Sequence, residues 1–345
     1  MLLSRSTGRL AAVILALLAL LPQASAISWD EDLPGGITIA LPKHKLIPRE
    51  GQTHLGIYVG GPIYKEDRSV ATLVELLDSR FTEVIIWSVH VDPDGTLDLN
   101  KEFPIARDGT YIGAAQHPNF ASDLRQLRGS GRRVTLGFGA AGSPAFDHIR
   151  DLIRKDGTAT NSILWRNLTA LRRALPAIEA IDLNDEVTYD EASITRFAVM
   201  LRDIGFSVSL CPYKNAQFWQ NVAQSVDSQR PGTIQAVNLQ CYGGGRWNTP
   251  AQWTFPGIPV YPGIWAKGTD SGGRAVGEET PVSASQRFAD WNRVSSVSGG
   301  FVWLYDEIQG KTETIAEAIV QGLQSGRRRK GLEKRVEPPT QGRRK

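Results

Sequence analysis

Eight short apolar runs recur along the chain, and they constrain its fold more than any other feature. They are HLGIYVG (54–60), EVIIWSV (83–89), RVTLGFG (133–139), AIEAIDL (177–183), FSVSLCP (206–212), IQAVNLQCY (234–242), IPVYPGIW (258–265) and GGFVWLY (299–305). Each is rich in Val, Ile and aromatics, and most are continuous rather than alternating, which marks strands buried on both faces. Amphipathic segments separate them: 69–80, 121–131, 160–175, 190–205, 216–226, 283–294 and 312–325. Thr160 or Asn161 is the expected cap of the third segment, and Gly205 the stop of the fourth. Only the connection after the sixth run, GGGRWNTPAQWTFPG, has no helical pattern.

Eight βα units, one of them irregular, predict an α/β chain folded as a single-domain (β/α)8 TIM barrel over residues 53–326. The rival is an open doubly wound sheet. Such a sheet usually carries a G-x-G-x-x-G turn after its first strand, and GGPIYKE lacks that pattern.

The flanks read differently. Residues 1–26 have arginines at 5 and 9, an apolar stretch over 10–21 and the small residues Ala24-Ser25-Ala26. That is the layout of a signal peptide, and it predicts a secreted, extracellular protein; the alternative, a membrane anchor, would need about 20 apolar residues. Residues 27–52 form a Pro/Gly-rich lead-in. The last nineteen, 327–345, hold nine Lys/Arg and two Glu, and are expected to be a basic disordered tail whose charge could hold the protein at a cell wall or other anionic surface.

The net charge of +3 hides this asymmetry, because residues 27–326 alone sum to −6. An acidic body argues against nucleic acid. No C-x-x-C or H-E-x-x-H spacing occurs, so neither a metal nor any other cofactor is expected. Cys211 and Cys241 end neighbouring predicted strands and could form a disulfide or remain buried thiols. A sequon, Asn167-Leu168-Thr169, falls within the third helical segment. The chain is expected to be a monomer.

In a barrel the C-terminal strand ends form the active face. The fourth run ends there in Asp182, Asn184, Asp185 and Glu186. Period-2 spacing puts Asp182, Asn184 and Glu186 on one side. Aromatics gather at the other strand ends: Tyr58, Trp87, Phe138, Tyr213, Tyr242, Trp265, Trp303 and Tyr305, with Trp247 and Trp253 in the loop after the sixth. Rings with flat apolar faces suit the C–H faces of sugars. Carboxylates and rings on one face point to a carbohydrate site. The plainer alternatives are ring packing and a solvated strand end that caps the next helix through Thr188 or Asp190.

EAIDLNDE (179–186) resembles the D-G-x-D-x-D-x-E signature of glycoside hydrolase family 18, the chitinases and endo-β-N-acetylglucosaminidases. Glu186 matches the general acid and Asp182 the middle Asp. Glu179-Ala180 replace Asp-Gly, and Asn184 replaces the Asp two before the acid. LGFGAAG (136–142) is similar to the strand-three S-x-G-G motif, with Gly137 in the Ser place and Ala140 in the last Gly place. LQCYGG (239–244) is similar to the strand-six motif and gives Gln240 and Tyr242. GGFVWLY is similar to the strand-eight segment, with Trp303 one residue early.

The resemblance implies a retaining, substrate-assisted mechanism on β-1,4-linked N-acetylglucosamine, in which the substrate's N-acetyl oxygen is the nucleophile. Glu186 would be the acid, Tyr242 would bond the acetamide oxygen and Trp303 would floor the reacting sugar. Asn184 brings no charge to offset the oxazolinium. It implies either a lectin-like, non-catalytic binder or an amide-assisted site with the Asn-x-Glu spacing of glycoside hydrolase family 85. A slipped strand offering Asp185 or Asp182 instead is the third alternative.

Overall fold

The computed structural model describes residues 53–336, with side chains to Gly326. The expected leader and the lead-in lie outside the described residues. Eight strands form the barrel: β1 His54–Val59, β2 Glu83–Val91, β3 Arg133–Phe138, β4 Ile178–Leu183, β5 Ser207–Leu210, β6 Ile234–Gln240, β7 Val260–Trp265 and β8 Gly299–Trp303. Each pairs in parallel with the next in chain order, and β1 pairs with both β2 and β8, which closes the sheet. An open doubly wound sheet is thereby excluded.

The helices lie outside, and their apolar stripes meet the outer wall. The largest buried cluster holds Ile181 and Leu183 of β4, Phe197 and Leu201 of the helix Glu191–Ile204, and Trp219 of the helix Ala216–Gln229. Local chemistry sets the helix ends. Asp190 caps Glu191–Ile204 by accepting from the Ser193 N–H at 2.8 Å. Gly205 ends it at φ 107°, a left-handed conformation that costs glycine nothing.

Three connections differ from the sequence reading. After β2 the chain first forms three short antiparallel strands, Leu97–Leu99, Phe103–Arg107 and Thr110–Tyr111, which extend the sheet beside β2. After β3 there are two helices, Ala145–Asp156 and Ile163–Ala174, where one was expected. The second is capped by Ser162, which accepts from Trp165 N, and not by Thr160 or Asn161. The last helix runs from Thr312 to Val336 and so continues past the expected end near Ser325. It stops two residues before Pro338-Pro339, which disfavour helical backbone ahead of them. Residues 337–345 lie outside the described part. The connection after β6 holds only 3-10 turns, Gly243–Gly245 and Pro250–Gln252, as the missing helical pattern predicts.

Candidate functional site

Strand parity decides what faces the barrel axis. Asp182 on β4 stands opposite Gly137 on β3 and Ser209 on β5. Its carboxylate is fully buried and accepts from Tyr58 Oη at 2.7 Å, from Asn238 Nδ2 at 3.0 Å and from the Ser209 hydroxyl. Burial pushes the Asp182 carboxyl up to about 6 against the pull of these donors. The Tyr58 hydroxyl also lies 3.1 Å from Cys211 Sγ, and burial, with Asp182 beside it, holds its pKa far above the ordinary phenol value.

One layer higher, β4 has ended and the chain turns. The Gln240 amide nitrogen, from β6, lies 3.1 Å from Asn184 Oδ1, 3.2 Å from Glu186 Oε1 and 3.2 Å from the Cys211 carbonyl. Gln240 therefore ties the amide and the half-buried carboxylate of β4's end together. Asp185 points the other way. Its carboxylate accepts from the backbone N–H groups of Val187, Thr188 and Tyr189 at 3.0, 2.8 and 2.7 Å. This removes the slipped-strand alternative for Asp185, because the turn that carries Glu186 already holds that carboxylate.

The rings complete the mouth. Tyr58, Tyr242, Phe301, Leu304, Ile85 and Cys211 form a small interior cluster, with Trp87, Trp265 and Trp303 packed on it. Trp303 lies nearly parallel to Tyr242, at 19° and 6.5 Å, and takes Trp87 edge-on at 4.9 Å. The Trp265 indole N–H donates to Glu307 at 2.6 Å. The Trp87 indole nitrogen is buried with no acceptor among the described residues. A polar floor, a half-buried carboxylate and flat ring faces at one strand-end mouth can hold a sugar with a carboxyl group beside its oxygen.

No protein-family model matches the sequence, and no curated protein does. Solved structures do match. A GH18 chitinase from Pseudoalteromonas aurantia superposes with a TM-score of 0.55 at 14% identity, over 78% of this chain and 100% of its own. The catalytic domain of a hyperthermophilic chitinase from Pyrococcus furiosus gives 0.52 at 13%, over 81% and 96%. The spore cortex-lytic enzyme SleL of Bacillus megaterium QM B1551 gives 0.52 at 12%, over 83% and 77%. The chain has the fold of the family 18 chitinases.

On this chitinase-type barrel the residues picked from sequence divide into groups. Glu186, Asn184, Asp182, Gln240, Tyr242, Tyr58, Trp87, Trp265 and Trp303 share the interior and its mouth. Phe138 does not: it is fully buried outside the wall, 5.9 Å from Phe197. Since Gly137 faces in, its neighbour Phe138 must face out. Trp253 is core packing, with its indole N–H on Asn248 Oδ1 at 3.3 Å. Trp247 is 85% exposed on the loop after β6, apart from the ring cluster. Tyr213 is half-buried, packed against Gly244, with the Lys214 ammonium 5.1 Å from its ring. Tyr305 turns outward and bonds Glu75 at 3.0 Å.

The two cysteines are free thiols. Cys211 belongs to the interior cluster and Cys241 to the outer core, so the barrel wall separates them and the disulfide alternative is excluded. Asn167 is also fully buried. Among the described residues no group of three His, Cys, Asp or Glu side chains could hold a metal ion.

Sequence reasoning missed Ser209, Asn238, Phe301 and Leu304. The first two were visible as polar residues at inward parity within the apolar runs SVSL and AVNLQ. A polar side chain inside a closed barrel needs a partner, and here both reach Asp182.

Proposed function

We propose that the protein is a secreted retaining hydrolase of β-1,4-linked N-acetylglucosamine glycans: chitin, chitooligosaccharides or the core of N-glycans. The observation that carries this reading is Glu186 held on Gln240 beside Tyr242 and Trp303, above buried Asp182. Glu186 donates its proton to the leaving glycosidic oxygen. The substrate's acetamide oxygen attacks the anomeric carbon from the other face, with Tyr242 positioned to bond it. Water then opens the oxazolinium, and Glu186 takes back a proton. Incubation with chitooligosaccharides and with a high-mannose N-glycoprotein tests the reading. Turnover of at least one is expected, with a drop of at least about 10²-fold in Glu186→Gln. Equal turnover by that variant, or none by the natural chain, would sink it.

Asn184 favours a second reading, a lectin-like barrel that binds these glycans without cutting them. Its Oδ1 faces Gln240, and an amide contributes no charge to the oxazolinium. Losing a preorganised electrostatic partner typically costs on the order of 10²–10³ in rate. Asn184→Asp separates the cases. Activity that appears or rises sharply means a site that lost its electrostatics. Activity that falls means the amide itself assists. Saturable glycan binding with no turnover in either protein means a binder.

A further inference from the structure

At the end of the barrel opposite the mouth lie an arginine-lined cavity at one edge and, at another, the backbone end of a last helix whose sequence there is rich in Lys/Arg. One edge lies at the starts of β3–β6. A cavity of about 350 Å3 there is lined by Arg133, Arg172 and Arg202, with Glu179 as its one acidic residue. Arg128 already pairs with Glu179 at 2.9 Å. Arg172 donates to the carbonyls of Pro176 and Ile178. Arg133 lies 3.4 Å from buried Glu83 and donates to Gln235 and Ser207. Arg202 is exposed in the last turn of its helix and makes no ion pair among the described residues.

The other edge is the end of the last helix. Gly322 packs on Ser285, and Gly326 on Ala289 and Asn292, so Thr312–Val336 runs alongside Pro281–Ser295 in the same direction. The latter ends just before β8 begins, at the base. At 1.5 Å per residue, Val336 lies on the order of 10 Å past that level. By sequence, residues 327–336 hold six Lys/Arg and one Glu. This helix follows β8, and the arginine cavity lies under β3–β6, on the far side of the closed sheet.

We propose that the base of the barrel docks on an anionic phospholipid bilayer, with the mouth facing away from it. An arginine-lined cavity at one edge and a Lys/Arg-rich helix end reaching past the opposite edge match a plane of phosphates better than a small ligand in one cavity. This charge does not reflect a basic protein, because residues 27–326 carry a net charge of −6. No aromatic residue follows Tyr305, so this segment offers no ring on which a nucleobase could stack. Phosphate-directed charge attraction remains, and Lys/Arg near an anionic leaflet supply it additively.

Flotation of the full chain with vesicles tests this. Binding is expected to phosphatidylcholine vesicles containing about one third phosphatidylglycerol, and not to pure phosphatidylcholine; about 0.5 M salt should release it. A chain ending at Gly326 should lose at least about tenfold in partitioning, and Arg202→Glu about threefold, with melting temperature and glycan activity unchanged in both. Equal partitioning on neutral vesicles overturns the proposal, as does undiminished binding after truncation. Unchanged binding by Arg202→Glu overturns the role of the barrel base. Retention on DNA in place of anionic vesicles overturns the choice of partner.

Discussion

Phe138 and Trp303 both end barrel strands as aromatic residues, yet they do opposite things. The ring of Phe138 fills the outer core against Phe197, whereas Trp303 faces Tyr242 inside the mouth. Truncating each should separate stability from recognition. Phe138→Ala should lower folding stability by about 3–5 kcal/mol, as large-to-small core changes do, while chitooligosaccharide affinity in the remaining folded protein is kept. Trp303→Ala should cost less stability than that, since its ring is only half-buried, and weaken glycan binding at least about tenfold, since a ring at the mouth is lost. Denaturant melts and binding isotherms on both variants check this, and a reversed pattern would overturn the assignment of inside and outside. At this scale parity was the legible signal. It placed Asp182, Asn184 and Glu186 together from their spacing alone. It also contradicted the choice of Phe138 once Gly137 was aligned inward. What spacing could not show was the role of Gln240 as a tie between Asn184 and Glu186, because that depends on β6 reaching across to β4.

The elements themselves were readable where burial on both faces leaves a continuous apolar run, and all eight barrel strands were found that way. Helix Ala145–Asp156 was equally legible, with Ala145, Phe146, Ile149, Leu152 and Ile153 at helical spacing and all buried. It was missed because one helix per connection was assumed. The small strands over 97–111 are short and partly polar, so their pairing depends on tertiary contacts rather than on pattern. Asn167 supplies one such contact. Its Oδ1 accepts from Gly109 N and its Nδ2 donates to the Gly95 carbonyl, each at 2.6 Å, which clasps that hairpin to the helix Ile163–Ala174. Asn167→Ala leaves a backbone donor and a backbone acceptor without their partner, and should cost about 2–4 kcal/mol. Hydrogen exchange should then rise first across residues 95–111. Loss spread evenly over the barrel would contradict the clasp. The same burial means the sequon cannot carry a glycan in the folded chain.

Across the whole barrel, two buried carboxylates at different heights oppose each other in pH dependence. Near the base Glu83 meets His54 Nε2 at 3.2 Å, Arg133 Nε at 3.4 Å and the Thr135 hydroxyl. Burial pushes its carboxyl up, but the His54 hydrogen bond and the charges of His54 and Arg133 outweigh this and hold it at about 2, against an ordinary 4.5. A depressed carboxyl stabilises the fold above pH 4.5 and loses that contribution as pH falls toward 2, for about 3 kcal/mol. Asp182 is raised from 3.8 to about 6, and Glu83's charge is among the causes after burial. A raised carboxyl favours the fold when protonated, so its contribution is complete below pH 3.8 and lost as pH rises to about 6, again about 3 kcal/mol. Stability should therefore peak near pH 4, falling on the acid side through Glu83 and on the neutral side through Asp182. Denaturant unfolding from pH 2 to 8 measures this curve. Asp182→Asn should make the limb between pH 4 and 6 shallower, leaving the share of buried Asp123, whose carboxyl burial also raises to about 6, and keep the acid limb. Glu83→Gln should flatten the acid limb and, by removing a negative charge near Asp182, shift the other limb toward lower pH. If both variants keep the natural chain's curve, these two carboxylates do not set the barrel's pH response.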